Sequence, residues 1–334
     1  MNLEVHIPYL LLPAPFSKMI ANPQAPALEK LLARADRKLV NLADGYSSLA
    51  ERWGMKPPYP AAAIFAQWDG FATGDSAWMF AEPVNLAPEQ DWLKLAPARL
   101  LDVTADESAQ LVGALNQHFS ADGVHFSNRE PGRWYVQCAR KEIPDTTAVD
   151  AARLDPLIES QPVSKGAINW RALQNEAQML FHVHPVNQSR EAAGKPMING
   201  IWFWGGGIAP VLTKPDIDFL FADTPPVLQL AKQTGIKTFP LDSSALKGLQ
   251  GHALVVIDEL SNLARDFDLL GWVGAVERLN QYWFAPISKL LSQGTIARLS
   301  IHATSSGQEQ IFTLTRQQLL LRFWRSNRHL SSYA

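Results

Sequence analysis

The segment HPVNQSREAAGKPMINGIWFWGGG, which begins at His184, holds a dense group of residues that could bind a small ligand. His184, Asn187 and Arg190 are spaced three residues apart, so they would share one face of a helix. Lys195 lies in a Gly-Lys-Pro turn, and Asn199 precedes an apolar run that ends in three glycines. Polar groups around a strand end and a glycine turn suit a small anion, because backbone N–H groups can approach it. The alternative is a capped helix followed by a turn.

Three other groups could do chemistry, and each has a structural alternative. His182 and His184 could bind a metal, although their apolar neighbours favour packing. A run of carboxylates follows a candidate buried strand: Asp258, Glu259, Asp266 and Asp268. These could bind a metal or could instead cap helices and face solvent. Asp44, Ser47 and Ser48 form a weak nucleophile signal, since no base is assigned to them.

The composition excludes several classes of protein. Hydrophobic residues make up 47% of the 334 residues, enough for a substantial core, and the net charge of −2 gives no sign of general nucleic-acid or membrane-surface binding. A single cysteine, Cys138, excludes an intramolecular disulfide and a cysteine-based metal site. No apolar run reaches the roughly 18–20 residues of a spanning helix, and the N-terminus lacks a signal-peptide pattern. We therefore expect a cytoplasmic protein with no nucleic-acid or membrane partner.

The hydrophobic pattern predicts an α/β core interrupted by a smaller domain. Leu3 to Leu12 is typical of a buried strand. From Ile198 onwards strands alternate with helices, which favours a mostly parallel sheet covered by helices. In between, a capping box at Thr104 opens a helix that precedes two strand candidates, as in a small α+β unit. We expect a core from residues 1–74 and 196–334 and an insertion at 75–195, with Leu3–Leu12 and Ile198–Trp204 in one sheet.

The order of these segments resembles that of the archaeal-type cofactor-independent phosphoglycerate mutases of the alkaline-phosphatase superfamily. HPVNQSREAAGKPMINGIWFWGGG is similar to their Asn-x-x-Arg, Gly-Lys-x-x-x-Asn and aromatic-x-Gly-x-Gly stretch. APALEKLLARA is similar to their early helix, and IDELSNLARDFDLLGWVGAVERLNQYWFAPISKLL to their late strand, metal loop and long helix. The resemblance implies an alkaline-phosphatase-like, mostly parallel sheet flanked by helices, with an inserted small α+β domain.

A further resemblance points to a regulatory role. VTADESAQLVGALNQHF, PGRWYVQC and the WFWGGG variant are similar to a proteobacterial branch known as regulatory proteins of the regulation-of-pathogenicity-factors E type.

The same comparison shows departures from the phosphoglycerate mutase pattern. Where the resemblance implies an Asp-Gly metal motif after the first strand, this chain has Leu-Pro-Ala-Pro. The Ser-Asp-Thr-Ala-His nucleophile region corresponds to NLADGYSSLAERWG, and the Thr-Asp-x-x-x-His loop to a segment with Ser261 and Arg265. The Asp-His-Ser-Thr motif keeps only His302, and the last family histidine falls near Glu309 or Gln310. Because two-metal phosphoryl transfer needs several carboxylates and imidazoles, we expect no bound metal and no catalytic residue.

The sequence therefore predicts a catalytically degenerate phosphoglycerate mutase-like protein, without a cofactor, that acts as a regulatory or small-anion-binding protein. The alternatives are an active metal-dependent phosphotransferase or phosphoglycerate mutase with a rearranged site, and a purely structural interaction protein. The expected ligand is a small phosphorylated or carboxylate compound, because forked arginine donors match such groups. We expect it in a cleft between core and insertion, where its contacts would be Arg133, His184, Asn187, Arg190, Lys195 and Asn199.

Overall fold

The structure is a computed structural model that describes residues 1–12, 14–17, 19–41, 47–89, 92–149, 162–305 and 308–333. The chain forms two compact units. The first consists of Met1–Pro57 with Leu212–Ala334, and the second of Pro58–Val211. The boundaries expected near residues 74/75 and 195/196 both fall inside the second unit. A helix that precedes the first expected boundary and a strand that follows the second both pack in the sheet of this unit.

The strands are numbered in chain order: β1 (Asn2–Pro8), β2 (Asp36–Asn41), β3 (Ala77–Glu89), β4 (Trp92–Pro97), β5 (His125–Glu130), β6 (Arg133–Cys138), β7 (Gly200–Gly207), β8 (Phe219–Phe221), β9 (Lys237–Phe239), β10 (His252–Val256), β11 (Arg298–Ser305) and β12 (Gln308–Thr315). The α-helices of the described residues are α1 (Ala14–Ser17), α2 (Pro26–Arg34), α3 (Ser47–Arg52), α4 (Ala61–Trp68), α5 (Ala105–His118), α6 (Trp170–His182), α7 (Pro185–Ala192), α8 (Pro225–Thr234), α9 (Glu259–Arg265), α10 (Leu269–Leu279), α11 (Ala285–Gln293) and α12 (Arg316–Leu321).

The first unit contains a seven-stranded sheet in the order β2-β12-β11-β1-β10-β8-β9. Strands β11, β1, β10, β8 and β9 run parallel to one another, whereas β12 pairs antiparallel with both β11 and the edge strand β2. Helices cover both faces of a parallel sheet because they connect its strands, and the alternation of strands and helices in the sequence predicts this arrangement. The predicted fold class, a mixed α/β protein with a mainly parallel sheet flanked by helices, is confirmed.

The first strand shows how the sequence builds this sheet. Leu3, Val5 and Ile7 alternate along β1 and are fully buried in the apolar core of the first unit. That core also contains side chains of the long C-terminal helical segment, including Trp272 and Phe284. The late long helix implied by the resemblance is observed as α10, a π-helical turn at Asn280–Phe284, and α11. The other face of β1 carries Glu4 and His6, because successive strand side chains point to opposite sides.

The second unit contains a five-stranded sheet in which β4-β3-β6-β5 form a path and β7 pairs with β3. All of its pairings are antiparallel. The expectation that Ile198–Trp204 shares a sheet with the first strand was wrong. Ile201 and Phe203 of β7 instead pack in the core of the second unit. A short, continuous apolar run fits an internal strand of either sheet type, so its pattern alone does not choose between sheets.

The capping box at the start of α5 is present as predicted. The side chain of Thr104 accepts a hydrogen bond from the N–H of Glu107, whose carboxylate accepts one from the N–H of Thr104. Across the described ranges, none of the helices combines the length and the apolar character that crossing a bilayer requires.

Candidate functional site

One face of the seven-stranded sheet gathers ionisable side chains from three neighbouring strands. His6 of β1 lies directly opposite His302 of β11, and β12 brings Glu309 next to them. We call His6, His302 and Glu309 the sheet-face triad. Their exposed fractions are 1%, 6% and 2%, so all three are buried.

The triad is compact enough for its polar atoms to act together. The Nδ1 atom of His302 lies 3.0 Å from Oε1 of Glu309, and Nδ1 of His6 lies 3.9 Å from the same oxygen. The two imidazole rings are 6.2 Å apart between centroids. One ligand atom from each residue can be chosen so that all lie within 4.8 Å of one another, and no other such group of histidine, cysteine or carboxylate residues occurs in the described part of the chain.

A second carboxylate, Glu4, lies beside the triad and is held by its own partners. Its Oε2 atom lies 3.7 Å from Nε2 of His302, and its Oε1 atom lies 3.0 Å from Nε2 of His252. Arg52 of α3 forms an ion pair with the same carboxylate. Burial disfavours ionisation of Glu4, but the charges of Arg52 and His302 outweigh this effect and lower its pKa.

The carboxylate of the triad is also tuned by its neighbours. The hydroxyl of Ser48 donates a hydrogen bond to Oε1 of Glu309 at 2.7 Å. Burial disfavours the charged form of Glu309, but the hydrogen bonds from His302 and Ser48 and the charges of His302 and His6 lower its pKa. The site therefore presents ionised carboxylates next to imidazoles, a combination that can share protons or ligate a transition metal.

The segment after β1 has a different character. The guanidinium of Arg265 lies over the ring of Tyr9, with its carbon 5.6 Å from the ring centroid. Leu10, Leu11 and Leu12, which follow, are buried in the apolar core. The end of the first strand thus carries a cation stacked on an aromatic ring, followed by apolar side chains.

The polar side chains of the late loop in the first unit are bonded to other groups of the protein. Ser261 donates its hydroxyl hydrogen to Asp258, so this pair is bonded within the α9 turn. Asp268 accepts a hydrogen bond from the N–H of Gly271 and caps α10, as the structural alternative proposed. Glu259 pairs with Arg278. Asp44, from the nucleophile region, lies outside the described residues.

The ligand-binding residues expected from the sequence all lie in the second unit. Asn187 is fully buried and bridges two stretches of main chain. Its Nδ2 donates to the carbonyls of Phe181 and Ile198 at 2.8 Å each, and its Oδ1 accepts from the N–H of Ile198 at 2.8 Å. These bonds fasten the end of α6 to the segment that leads into β7.

Arg190 is 1% exposed and directs its donors into the protein. Its Nη1 lies 2.9 Å from each carboxylate oxygen of Glu107. Its Nε donates to the carbonyl of Pro196 at 2.7 Å, and its Nη2 donates to the carbonyl of Leu101. The guanidinium therefore braces α5 and α7 against the Gly-Lys-Pro turn, which is the structural alternative stated for this segment.

The remaining expected ligand residues also have partners within the second unit. Arg133 forms a two-pronged ion pair with Asp69, with nitrogen–oxygen distances of 2.8 and 2.7 Å. His184 caps α7 by accepting from the N–H of Val186, and burial lowers its pKa. The structure brings Asn187, Arg190 and Lys195 together around one turn, whereas Arg133 bonds elsewhere.

Lys195 and Asn199 complete this set. Lys195 is half-exposed and lies 3.1 Å from Asp102 through its Nζ atom. The amide of Asn199 bonds both the N–H and the carbonyl of Leu86, at 2.7 and 2.8 Å, and so extends the pairing of β7 with β3. Lys195 is thus the cation of the set that solvent reaches most readily.

The pattern of the first segment predicts only a buried strand and does not single out Glu4 or His6, which lie on the face of the sheet that holds the triad. The signal that could have found them is the strict alternation in LEVHIP, where the polar side chains share one face.

No family model matches this chain. Over 135 residues it is 27% identical to a probable 2,3-bisphosphoglycerate-independent phosphoglycerate mutase of Geobacter sulfurreducens, a match that covers 38% of this chain and 32% of that protein. Over 119 residues it is 26% identical to the 2,3-bisphosphoglycerate-independent phosphoglycerate mutase of Methanosarcina mazei, covering 33% and 28%. The chain thus spans about a third of the length of these relatives.

Among solved structures, the PH0037 protein from Pyrococcus horikoshii superposes with a TM-score of 0.53 at 12% identity, covering 94% of this chain and 87% of that chain. This likeness concerns the fold alone. The sequence matches support a phosphoglycerate mutase-like relationship at low identity.

Proposed function

We propose that this protein is a phosphoglycerate mutase-like protein that does not carry out two-metal phosphoryl transfer and acts instead as a binding or regulatory protein. The observation that carries the proposal is the end of β1, where Arg265 stacks on Tyr9 and buried leucines follow. The resemblance would place a metal ligand there. A guanidinium stays protonated, so it opposes a divalent cation at the position where phosphoryl transfer needs one.

A direct activity measurement tests this proposal. The full chain is assayed for interconversion of 3- and 2-phosphoglycerate with Mn²⁺ or Mg²⁺, with the Methanosarcina mazei enzyme as the positive control. We expect no turnover above the background of a no-protein blank. Turnover that depends on metal and is abolished by His302→Ala would overturn the proposal in favour of a phosphotransferase with a rearranged site.

The class of ligand remains the one expected from the sequence, a small phosphorylated or carboxylate compound. Calorimetric titration with 3-phosphoglycerate tests it, with Lys195→Ala as the informative variant. Lys195 has an exposed ammonium whose pairing with Asp102 is worth little to stability, so its loss leaves the fold intact. Weaker binding by this variant supports the ligand class. Equal binding by the variant, or no binding by the wild type, argues against these residues as the contact site.

A further inference from the structure

We propose that the sheet-face triad, His6, His302 and Glu309, binds one divalent transition-metal ion, with Zn²⁺ as the best match. This goes beyond the proposed function, because a single ion held by these residues is not the two-metal arrangement of phosphoryl transfer. The expectation of no metal counted His302 as the one surviving imidazole. The structure adds a second imidazole and a carboxylate next to it.

The donor set selects the class of ion. Two imidazole nitrogens with one carboxylate oxygen form a known zinc-binding combination, and the same combination suits ferrous iron. Mg²⁺ and Ca²⁺ prefer oxygen ligands, so two histidines disfavour them.

The distances are close to those of a loaded site. Zinc–nitrogen and zinc–oxygen bonds of about 2.0–2.2 Å place neighbouring ligand atoms roughly 3.3–3.5 Å apart around a tetrahedral ion. The triad already brings His302 and Glu309 to 3.0 Å and His6 and Glu309 to 3.9 Å through their closest atoms. One ligand atom from each residue lies within 4.8 Å of the others, which is close enough for the three to share one ion.

The surroundings supply the outer contacts that metal-binding histidines need. His302 directs Nδ1 towards Glu309, and its other nitrogen lies 3.7 Å from the carboxylate of Glu4. A carboxylate on the far nitrogen orients a ligating imidazole and increases its basicity. Arg52 and His252 in turn fix Glu4, while Ser48 bonds Glu309. His302 and Glu309 therefore each have a polar neighbour outside the triad, Glu4 at 3.7 Å and Ser48 at 2.7 Å.

Burial and charge favour an occupied site. The carboxylate of Glu309 is buried and that of Glu4 is partly buried on the same face of the sheet, and a dication placed at the triad would offset their negative charge. A buried position also shields the ion from competing water. Three protein ligands leave one position of a tetrahedral ion for water or an added ligand.

The test is a Zn²⁺ titration of the full chain after treatment with EDTA and its removal, followed by calorimetry and by thermal unfolding. We expect one equivalent of Zn²⁺ to bind and to raise the unfolding temperature, since an ion that binds only the folded state stabilises it. Mg²⁺ at the same concentration should cause no shift. Failure of the wild type to bind one equivalent of Zn²⁺ at micromolar concentration would overturn the proposal.

Variants locate the ion. His302→Asn and Glu309→Gln should each weaken Zn²⁺ binding at least 100-fold, and Glu4→Gln should weaken it about 10–100-fold through the outer contact. His329→Asn is the matched control, because His329 also pairs with a glutamate at 3.0 Å, but its own side chain is exposed and it does not belong to the triad. Unchanged binding in His302→Asn and Glu309→Gln would refute the site.

Two safeguards keep the outcome decisive. If the variants do not fold, the visible spectrum of Co²⁺ bound to the wild type decides: a spectrum of imidazole-coordinated Co²⁺ supports the site, and that of the hydrated ion overturns it. Phosphoglycerate mutase activity is measured on the same Zn²⁺-loaded sample. Activity there would refute the proposed function and leave the metal site standing, whereas absence of binding would do the reverse.

Discussion

Two clusters of polar side chains, one in each unit, differ in the kind of partner that their side chains bond. In the second unit, Arg190 bonds two main-chain carbonyls and one carboxylate, and Asn187 bonds only main-chain groups. On the sheet face of the first unit, by contrast, Glu4 and Glu309 are paired mainly with histidines and Arg52. Main-chain partners are fixed by the fold, whereas a histidine–carboxylate pair can exchange its proton for a metal ion.

This difference separates structural polar groups from groups that retain chemistry. A buried arginine with its donors committed to carbonyls stabilises the turn that it spans, and freeing it for a ligand would leave buried acceptors unsatisfied. A buried histidine next to a carboxylate keeps the donor atoms that a metal uses. The proposal for the sheet-face triad therefore rests on the identity of its partners and not on burial alone.

The largest expected effect comes from breaking the Arg190 cluster. Arg190→Ala removes four hydrogen bonds from a side chain that is 1% exposed and leaves the carbonyls of Leu101 and Pro196 without this donor. We expect a loss of about 3–5 kcal/mol in the free energy of unfolding, measured by urea denaturation. Arg171→Ala, at an exposed position on α6, is the control and should change it by less than about 0.5 kcal/mol. Equal stability of both variants would contradict the structural role.

The structural class was within reach of the sequence, because it depends on local patterns. The alternation of strands and helices after Ile198 indicated a mainly parallel sheet, and Thr104 marked a helix start. The late long helix that the resemblance implies is also present, as α10, the π-helical turn and α11. The sheet that contains β7 was not predicted, since a continuous apolar run has no period that distinguishes its partners.

The sheet-face triad was out of reach for a different reason. His6 and His302 meet only because β1 and β11 pair in a register that brings them opposite each other. Nothing local in either segment specifies that register. For Asn187 and Arg190, the spacing correctly placed both on one helix, but it gave no information on whether their donors face a ligand or main-chain carbonyls.

The next largest effect is expected at Asn187. Asn187→Leu keeps the approximate size of the side chain but leaves the N–H and carbonyl of Ile198 and the carbonyl of Phe181 without their amide partner. We expect a loss of about 2–3 kcal/mol in urea denaturation, because buried main-chain groups without partners are costly. Gln188→Leu is the neighbouring control, since Gln188 is exposed. If a ligand site rather than the fold needs Asn187, stability will hold in this variant and only ligand binding will fall.

A smaller, pH-dependent effect is expected from Glu107, the carboxylate that Arg190 contacts. Burial opposes its ionisation, but the N–H of Thr104 and the guanidinium of Arg190 lower its pKa below the ordinary value of 4.5. A carboxyl with a lower pKa in the folded state stabilises the protein above its unfolded-state pKa, and this contribution is lost as the pH falls through the folded-state pKa.

Glu107→Gln should therefore reduce stability at neutral pH and make its further loss on acidification shallower, as followed by urea denaturation from about pH 6 to about pH 3. Glu176→Gln removes a charge from an exposed glutamate and serves as the control. An identical acid-side slope in Glu107→Gln and wild type would show that Glu107 does not couple protonation to folding.

The smallest expected effect concerns Cys138, whose buried thiol reports whether reagents reach the interior of the second unit. This cysteine lies on β6 and is buried, and burial together with the charge of Glu142 raises the pKa of its thiol to about 12. Because the thiolate is the reactive form, that pKa lowers its abundance near neutral pH by on the order of 10³ relative to an exposed cysteine.

Native protein should stay unmodified by iodoacetamide over a period that fully modifies urea-unfolded protein, as read by mass spectrometry. Cys138 is the sole cysteine of the chain, so Cys138→Ser gives an unambiguous blank. Rapid labelling of native protein would show that β6 opens locally. The second unit could then not be regarded as the more rigid of the two regions compared.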